Sequence, residues 1–400
     1  MTYDNLCDII FFGVIMKKHE KTTVEFINLV ENDVCLKHLL EENIEIAKKI
    51  NPDKNTNPAQ SLEELYDFLD WAVKCMPWEC LKNLPYASLY SKIDQATGYF
   101  WFIFDQPLEE LRDKGYYYPT LQYHEPIASW IKKFSQDWGA FLSQKQSWSD
   151  DYYKLVLKDN NFGLKKGWYG DKNIWSSFND FFARKLIDKN QRPIGEAEVI
   201  SPADSCPKGF YAIDSNNMVE DDDIPIKTAH IKSVEDLIGK DSAFCKAFAN
   251  GTLTHCFLDI NDYHRYHFPV DGTIVEMRKI SAANAGGGVT RWNEHEKRYE
   301  YFNKLGFQMI ETRDCIILKT DFGYVAILPV GMSQICSCNF EKDLYVGKKV
   351  KRGDPLGYFM FGGSDIVMIF DKSVECVSLV QNEHLLMGEN YANLKIKNQV

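Results

Sequence analysis

The sequence predicts an α+β protein, with a helical domain over residues 1–160 followed by a β-rich part. Three observations carry this. Apolar residues recur at steps of three and four over 21–50, 61–77 and 127–141. Past residue 195 the pattern becomes short apolar runs with glycines at the turns. Between the two lies a polar, glycine-bearing stretch, Asp159 to Asn173.

Taken in order, Val24, Ile27, Val30, Val34 and Leu36 to Leu40 predict helix over 21–50, ended by Asn51-Pro52-Asp53. Ser61-Leu62-Glu63-Glu64 is a capping box that opens a second helix, and Pro77 closes it. Tyr99 to Phe104 is a continuous aromatic run and is expected to be buried. Ile127, Trp130, Ile131, Phe134, Trp138 and Phe141 form one face of a further helix. In the β-rich part, Ser176 to Leu186 and Ser233 to Ile238 read as short helices. Glu220-Asp221-Asp222-Asp223 reads as a solvated loop, and Ala285-Gly286-Gly287-Gly288 as a flexible loop or lid. Val346 to Gly357 reads as a turn-rich hairpin. It has the look of a lipoyl-type carrier turn but lacks the usual setting for a modified lysine at Lys348 or Lys349.

Composition narrows the function. The chain has 400 residues, 45% apolar and 26% charged, with net charge −11, which argues against a nucleic-acid partner. Eleven cysteines without a repeating pattern read as reduced thiols in a cytoplasmic protein. Cys336-x-Cys338 and Cys75…Cys80 lack zinc-ligand spacing, so no metal is expected there. The apolar run Ile9 to Met16 is too short to span a bilayer and carries its charges in the wrong order for a signal peptide.

Chemistry concentrates late in the chain. Gly362-Gly363-Ser364 stands between the apolar runs Phe359–Phe361 and Ile366–Phe370, so it is a tight bend between two buried strands. It reads either as a plain hairpin turn or as a serine able to attack the peptide bond before it, given a base and an oxyanion site. Asn261-Asp262-Tyr263-His264-Arg265-Tyr266-His267-Phe268-Pro269 offers two histidines three residues apart. On a helical turn they share a face; on an extended chain they point apart and serve two tasks. They lack a third metal ligand. Ser201-Pro202-Ala203-Asp204-Ser205 is a turn whose aspartate is either an Asx-turn residue or the acid of a serine–histidine–acid relay. Phe178 to Leu186, followed by Arg192-Pro193-Ile194, is an amphipathic helix with a stop.

Together these pieces, with Ile226-Lys227 and Val330-Gly331, resemble the phosphatidylserine decarboxylase family over residues 165–380, in the family's order. The resemblance implies a decarboxylase domain over 165–400. It implies an inactive precursor that cuts itself between Gly363 and Ser364 into a β chain, 1–363, and an α chain, 364–400. Ser364 becomes a pyruvoyl group, which takes up the substrate amine as a Schiff base; neither pyridoxal phosphate nor a metal is called for. By the same resemblance His267 is the base that activates Ser364, Asp204 orients His267, and His264 acts as proton donor in decarboxylation. The α chain is expected to stay bound through the core strand Ile366–Phe370.

Three departures stand out. The family's Leu-Gly-Ser-Thr reads Gly362-Gly363-Ser364-Asp365, placing a charge beside the cut. Its Pro-Ala-Asp-Gly turn ends in Ser205, and its Asn-x-Arg aligns with Glu311-Thr312-Arg313. The first expectation for the substrate is a phospholipid head group, that of phosphatidylserine, with at most peripheral contact with a membrane. The alternative is a free aromatic L-amino acid, because the helical extension resembles that of soluble tryptophan decarboxylases. The family also implies a homodimer. Two other classes compete: an unprocessed binding protein, and a serine hydrolase built on Asp204, His267 and Ser364.

Overall fold

A computed structural model describes residues 18–79, 88–112, 114, 118–171, 174–219, 233–302, 307–332, 337–380 and 383–396. The runs Ile9–Met16, Glu220–Asp223 and Ile226-Lys227, together with Cys80, Cys336 and the side chain of Ser364, lie outside the described residues.

The first part is helical: α1 (Lys21–Glu31), α2 (Val34–Ile50), α3 (Leu62–Ala72), α4 (Leu89–Phe104), α5 (Ile127–Leu142) and α6 (Asp150–Lys158). The predicted helix over 21–50 is two helices, because Asn32-Asp33 breaks it. The Asp33 carboxylate accepts from the Leu36 amide and restarts the helix. Ser61 caps α3 by accepting from the Glu64 amide at 3.2 Å. Glu64 reaches back one residue further than a capping box requires, to the Gln60 amide. The aromatic run 99–104 is the last turn and a half of α4, buried throughout. Its sequence carries no one-sided stripe because that end of the helix is surrounded.

The β-rich part adds α7 (Phe178–Phe182), α8 (Val234–Ile238) and α9 (Phe307–Ile310). Its strands are β1 (Val199–Ile200), β2 (Cys206–Ala212), β3 (Thr252–Phe257), β4 (Arg265–His267), β5 (Gly272–Ile280), β6 (Val289–Asn293) and β7 (Arg298–Phe302). They continue as β8 (Arg313–Thr320), β9 (Gly323–Gly331), β10 (Cys338–Phe340), β11 (Lys349–Val350), β12 (Pro355–Phe359), β13 (Gly363–Phe370), β14 (Val374–Ser378) and β15 (Asn390–Ile396). The main sheet runs β11-β5-β8-β9-β13-β3-β2, and a small sheet runs β10-β12-β4. The pairs along both sheets are antiparallel.

Two apolar layers cover the main sheet. Alternation along β13 sends Ile366, Met368 and Phe370 into one, with Tyr266 and Phe359 of the small sheet. Val367 and Ile369 enter the other, with Val234, Leu237 and Ile238 of α8.

The turn-rich segment 346–357 is not a hairpin. Its first strand, β11, pairs with β5 of the main sheet, while β12 pairs with β4 and β10 of the small one. The chain then crosses back through Met360-Phe361-Gly362 into β13. The predicted bend is therefore a passage between sheets rather than a hairpin tip.

The helical part docks on this frame through shared side chains. Gln95 of α4 bonds both backbone groups of Tyr299 in β7, donating to its carbonyl at 3.0 Å and accepting from its amide at 2.7 Å. Gly98 gives the room: a Cβ there would sit 2.8 Å from the Tyr299 ring. Phe178, Tyr263, Tyr299 and Phe361 belong to the same apolar core as the helices. The glycine loop 285–288 is pinned to this layer. The Gly286 amide donates to Gln122, and the Gly288 carbonyl accepts from Gln122 and Tyr123.

Candidate active site

The bend is built by backbone geometry. Gly362 adopts φ +95°, a region that favours glycine, and its carbonyl accepts from the Met332 amide at 2.5 Å. The register shifts between Gly363 and Asp365, so β13 starts with an irregularity opposite Gly331 and Val330. From Ile366 onward β13 is central, laddered to β9 on one side and β3 on the other. Phe361 anchors the entry, its amide donating to Asn179 Oδ1 and its ring packing on Trp138, Phe178 and Phe182.

The two histidines sit on an extended chain and part company. The His264 ring stacks on Phe182, with centroids 3.9 Å apart, and Phe182 in turn meets Phe361. The ring is fully buried, and neither nitrogen has a hydrogen-bond partner. Burial, reinforced by the Arg184 charge and partly offset by the Asp262 backbone, pushes its pKa well below the usual histidine value. Its backbone carbonyl accepts from the Phe359 amide, which ties it to the strand leading into the bend.

His267 lies in β4, its Nδ1 2.8 Å from the Gly353 carbonyl. A carbonyl only accepts, so Nδ1 carries the proton and Nε2 holds the lone pair. That lone pair faces the Tyr263 hydroxyl at 3.3 Å. Burial lowers the His267 pKa to about 4, so the ring is neutral at neutral pH. His267 and Tyr263 line a cavity of about 940 Å³ with Lys185, Arg192, Arg265 and Arg352.

Asp204 is not the hydrogen-bond partner of His267. It is buried and accepts from Arg192 Nε at 2.8 Å and Nη2 at 2.6 Å, and from the Met387 amide. The expected orienting contact is taken by the Gly353 carbonyl instead. Asp204 acts on His267 only through its charge, which opposes the effect of burial.

Two further residues position the histidine segment. Arg184, two residues past the end of α7, is 1% exposed and donates to the carbonyls of Asn261 and Asp262. His384 Nε2 lies 2.9 Å from Asp262 Oδ1. Arg184 stood in a motif noted in the sequence; His384 carries no local signal and is 122 residues away in the chain. Arg313 serves the backbone, donating to the carbonyls of Leu237 and Glu311.

On the other face of β13, His255 Nδ1 lies 3.0 Å from Asp365 Oδ2, and Gln308 Nε2 lies 3.2 Å from the same oxygen. Sequence reading singled out Asp365 alone of these three.

The sequence is similar to known proteins over this part of the chain. Residues 178–393 match the family model for phosphatidylserine decarboxylase. A phosphatidylserine decarboxylase proenzyme of Clostridium perfringens is 31% identical over 299 residues, covering 70% of this chain and 94% of that protein. One from Fusobacterium nucleatum is 29% identical over 284 residues, covering 66% and 85%. An L-tryptophan decarboxylase of Psilocybe cyanescens is 28% identical over 271 residues, covering 60% of this chain and 61% of that protein. The bend at the head of the central strand, the paired histidines and the Ser-Pro-Ala-Asp turn all fall inside the matched stretch, and the chain belongs to the phosphatidylserine decarboxylase family, as a decarboxylase of the carboxy-lyase class.

Proposed function

We propose that the chain cuts itself between Gly363 and Ser364 and then decarboxylates phosphatidylserine to phosphatidylethanolamine. The observation that carries this is His264. It is a fully buried imidazole with both nitrogens unpartnered, held by Phe182 and Phe359 beside the strand that enters the Gly-Gly-Ser bend. A buried polar group without a partner costs stability and calls for an explanation, which a bound substrate supplies.

Ser364 attacks the Gly363 carbonyl while His267, neutral with its lone pair on Nε2, takes the serine proton; the peptide C–N bond breaks to leave an ester, β-elimination releases the Gly363 carboxylate and a dehydroalanine, and water converts the latter to the ketone with loss of ammonia. Tyr263 occupies that lone pair at 3.3 Å and gives way to the serine or relays the proton. The residues fit a pyruvoyl group at 364, because β13 is held by ladders on both sides and needs no covalent link to β12. Such a group supplies a ketone that condenses with the substrate amine and draws off electrons as CO₂ leaves. His264 handles the proton at the substrate carbon. Its apolar surroundings keep the carboxylate to be lost poorly solvated.

A free aromatic L-amino acid is the second reading. It is favoured by the similarity to the tryptophan decarboxylase and by the aromatic wall of Phe178, Phe182 and Phe361 at the bend. Among the described residues no helix is long and apolar enough to cross a membrane.

Intact mass under denaturing conditions, with Ser364→Ala as control, tests the cut. Two chains breaking after Gly363, the shorter one sensitive to borohydride, are expected for the natural sequence and one chain for the variant. One uncut chain in both would overturn the reading. CO₂ release from phosphatidylserine vesicles and from tryptophan then separates the two substrates.

A further inference from the structure

Residue 365 is where this chain carries a carboxylate in place of the family's usual threonine. Three elements converge on it: β13 with Asp365, β3 with His255 and α9 with Gln308. Tyr211 of β2 stacks on His255 with centroids 6.1 Å apart. Asp365 is 0% exposed, Gln308 1% and His255 7%. Both polar neighbours address Oδ2. Oδ1 is buried and has no hydrogen-bond partner.

Position gives that oxygen its meaning. Asp365 follows Ser364 directly, and consecutive Cα atoms are about 3.8 Å apart. It lies on the Val367–Ile369 face of β13, bonded to His255. Tyr266 of β4 and Phe359 of β12 pack on the opposite face with Ile366 and Met368. The proposed reacting residue is thus followed directly by a half-free buried carboxylate.

Amine substrates reach an enzyme at neutral pH as ammonium ions. An ammonium has three donors and no acceptor, and it binds a carboxylate oxygen best. The other buried carboxylates near the histidine segment are engaged at both oxygens. Asp204 serves Arg192 and the Met387 amide, and Asp262 serves His384 and the Asp259 amide. We infer that Asp365 Oδ1 is the docking point for the ammonium group of the substrate, receiving its hydrogen bond before the nitrogen meets residue 364. His255 and Gln308 are the positioning residues that hold the carboxylate by Oδ2. This rests on the pyruvoyl reading above, and it applies to a lipid head group and a free amino acid alike.

The test compares two carbonyl reagents on the mature protein. Aminoguanidine is a cationic hydrazine and acetohydrazide a neutral one; both form hydrazones with a ketone. Adduct formation on the short chain is followed by mass in the natural protein, Asp365→Asn and Asp365→Thr. Asparagine keeps the shape, and threonine is the residue usual in the family. The natural protein should favour aminoguanidine, and both variants should lose that preference by about tenfold, the factor a charge-assisted hydrogen bond carries. In parallel, KM for the amine substrate should rise by a similar factor, with kcat changing less. An unchanged preference would overturn the proposal. So would variants that fail to self-cleave while the natural protein cleaves, since Asp365 would then belong to processing. No adduct with either reagent on the natural protein is a different failure, because it removes the ketone itself.

Discussion

Asp204 gives both carboxylate oxygens to Arg192, at 2.8 and 2.6 Å, and the side chains of the pair are 3% and 0% exposed. Its charge is met by a guanidinium before it can be shared with His267. Removing one partner of a buried pair strands the other, at a cost of about 3–5 kcal/mol. Asp204→Ala should therefore lower stability in urea by about that amount, whatever happens to self-cleavage. Arg192→Met together with Asp204→Leu should recover most of it. A stable Asp204→Ala that simply stays uncut would instead favour direct contact with His267.

His267 predicts a pH dependence with a definite sign. Its folded pKa is about 4, below the usual value of about 6.5. The unfolded chain therefore takes up the proton first as pH falls. The stability that neutral His267 contributes is complete above about 6.5 and is lost progressively down to about 4. His267→Gln should flatten that part of the stability curve, seen as a smaller drop in Tm between pH 7 and 5. Cleavage of newly folded chain should hold a constant rate from pH 8 to 5, because the base stays neutral throughout. A cleavage midpoint near 6.5 would count against this environment.

His264 and its stacking partner should separate two activities. His264→Phe removes two buried nitrogens that lack partners and keeps a ring against Phe182. The variant should be at least as stable as the natural chain and should still cut itself. Its decarboxylation should fall by about 10²–10⁴, the usual contribution of a positioned acid or base. Intact mass and CO₂ release, measured on one preparation, check both halves. Loss of cleavage in this variant would move His264 into the processing step.

Gln95 is one of the side chains that tie the helices to the β6–β7 hairpin. Gln95→Ala leaves the buried amide and carbonyl of Tyr299 without their side-chain partner and should cost about 2 kcal/mol or more. Urea unfolding followed by tryptophan fluorescence and by far-UV circular dichroism should remain coincident. Two separate transitions would show that the helical part melts alone.

Much of this was legible from residue order. The periodic stripes gave α3 and α5 and, as one uninterrupted helix, the stretch that forms α1 and α2; the Gly-Gly-Ser bend marked the entry to a buried strand. What escaped depended on partners far away in the chain. His255 and Asp365 are 110 residues apart; Asp365 stood out only as a departure from the family pattern, and His255 carried no signal. The aromatic end of α4 has no polar face because it is enclosed, so periodicity cannot mark it as helix. Segment 346–357 has hairpin turns, yet its two strands belong to different sheets, a choice made by the pairing edges of β5 and β4. The Asp204 turn was found, but its partner was not, because a buried arginine competes with histidine for the same carboxylate and the spacing of residues says nothing about which wins.

The apolar core shared by Phe178, Tyr263, Tyr299 and Phe361 with the helices has a consequence for how such a protein can change over generations. A chain shortened to begin near residue 165 would present those four rings to water as one sticky surface, inviting aggregation. In this chain the helical part is joined to the rest by a shared core and not by a linker alone. A substitution in the helices that face this core also touches the wall against which Phe361 leads the chain into its bend.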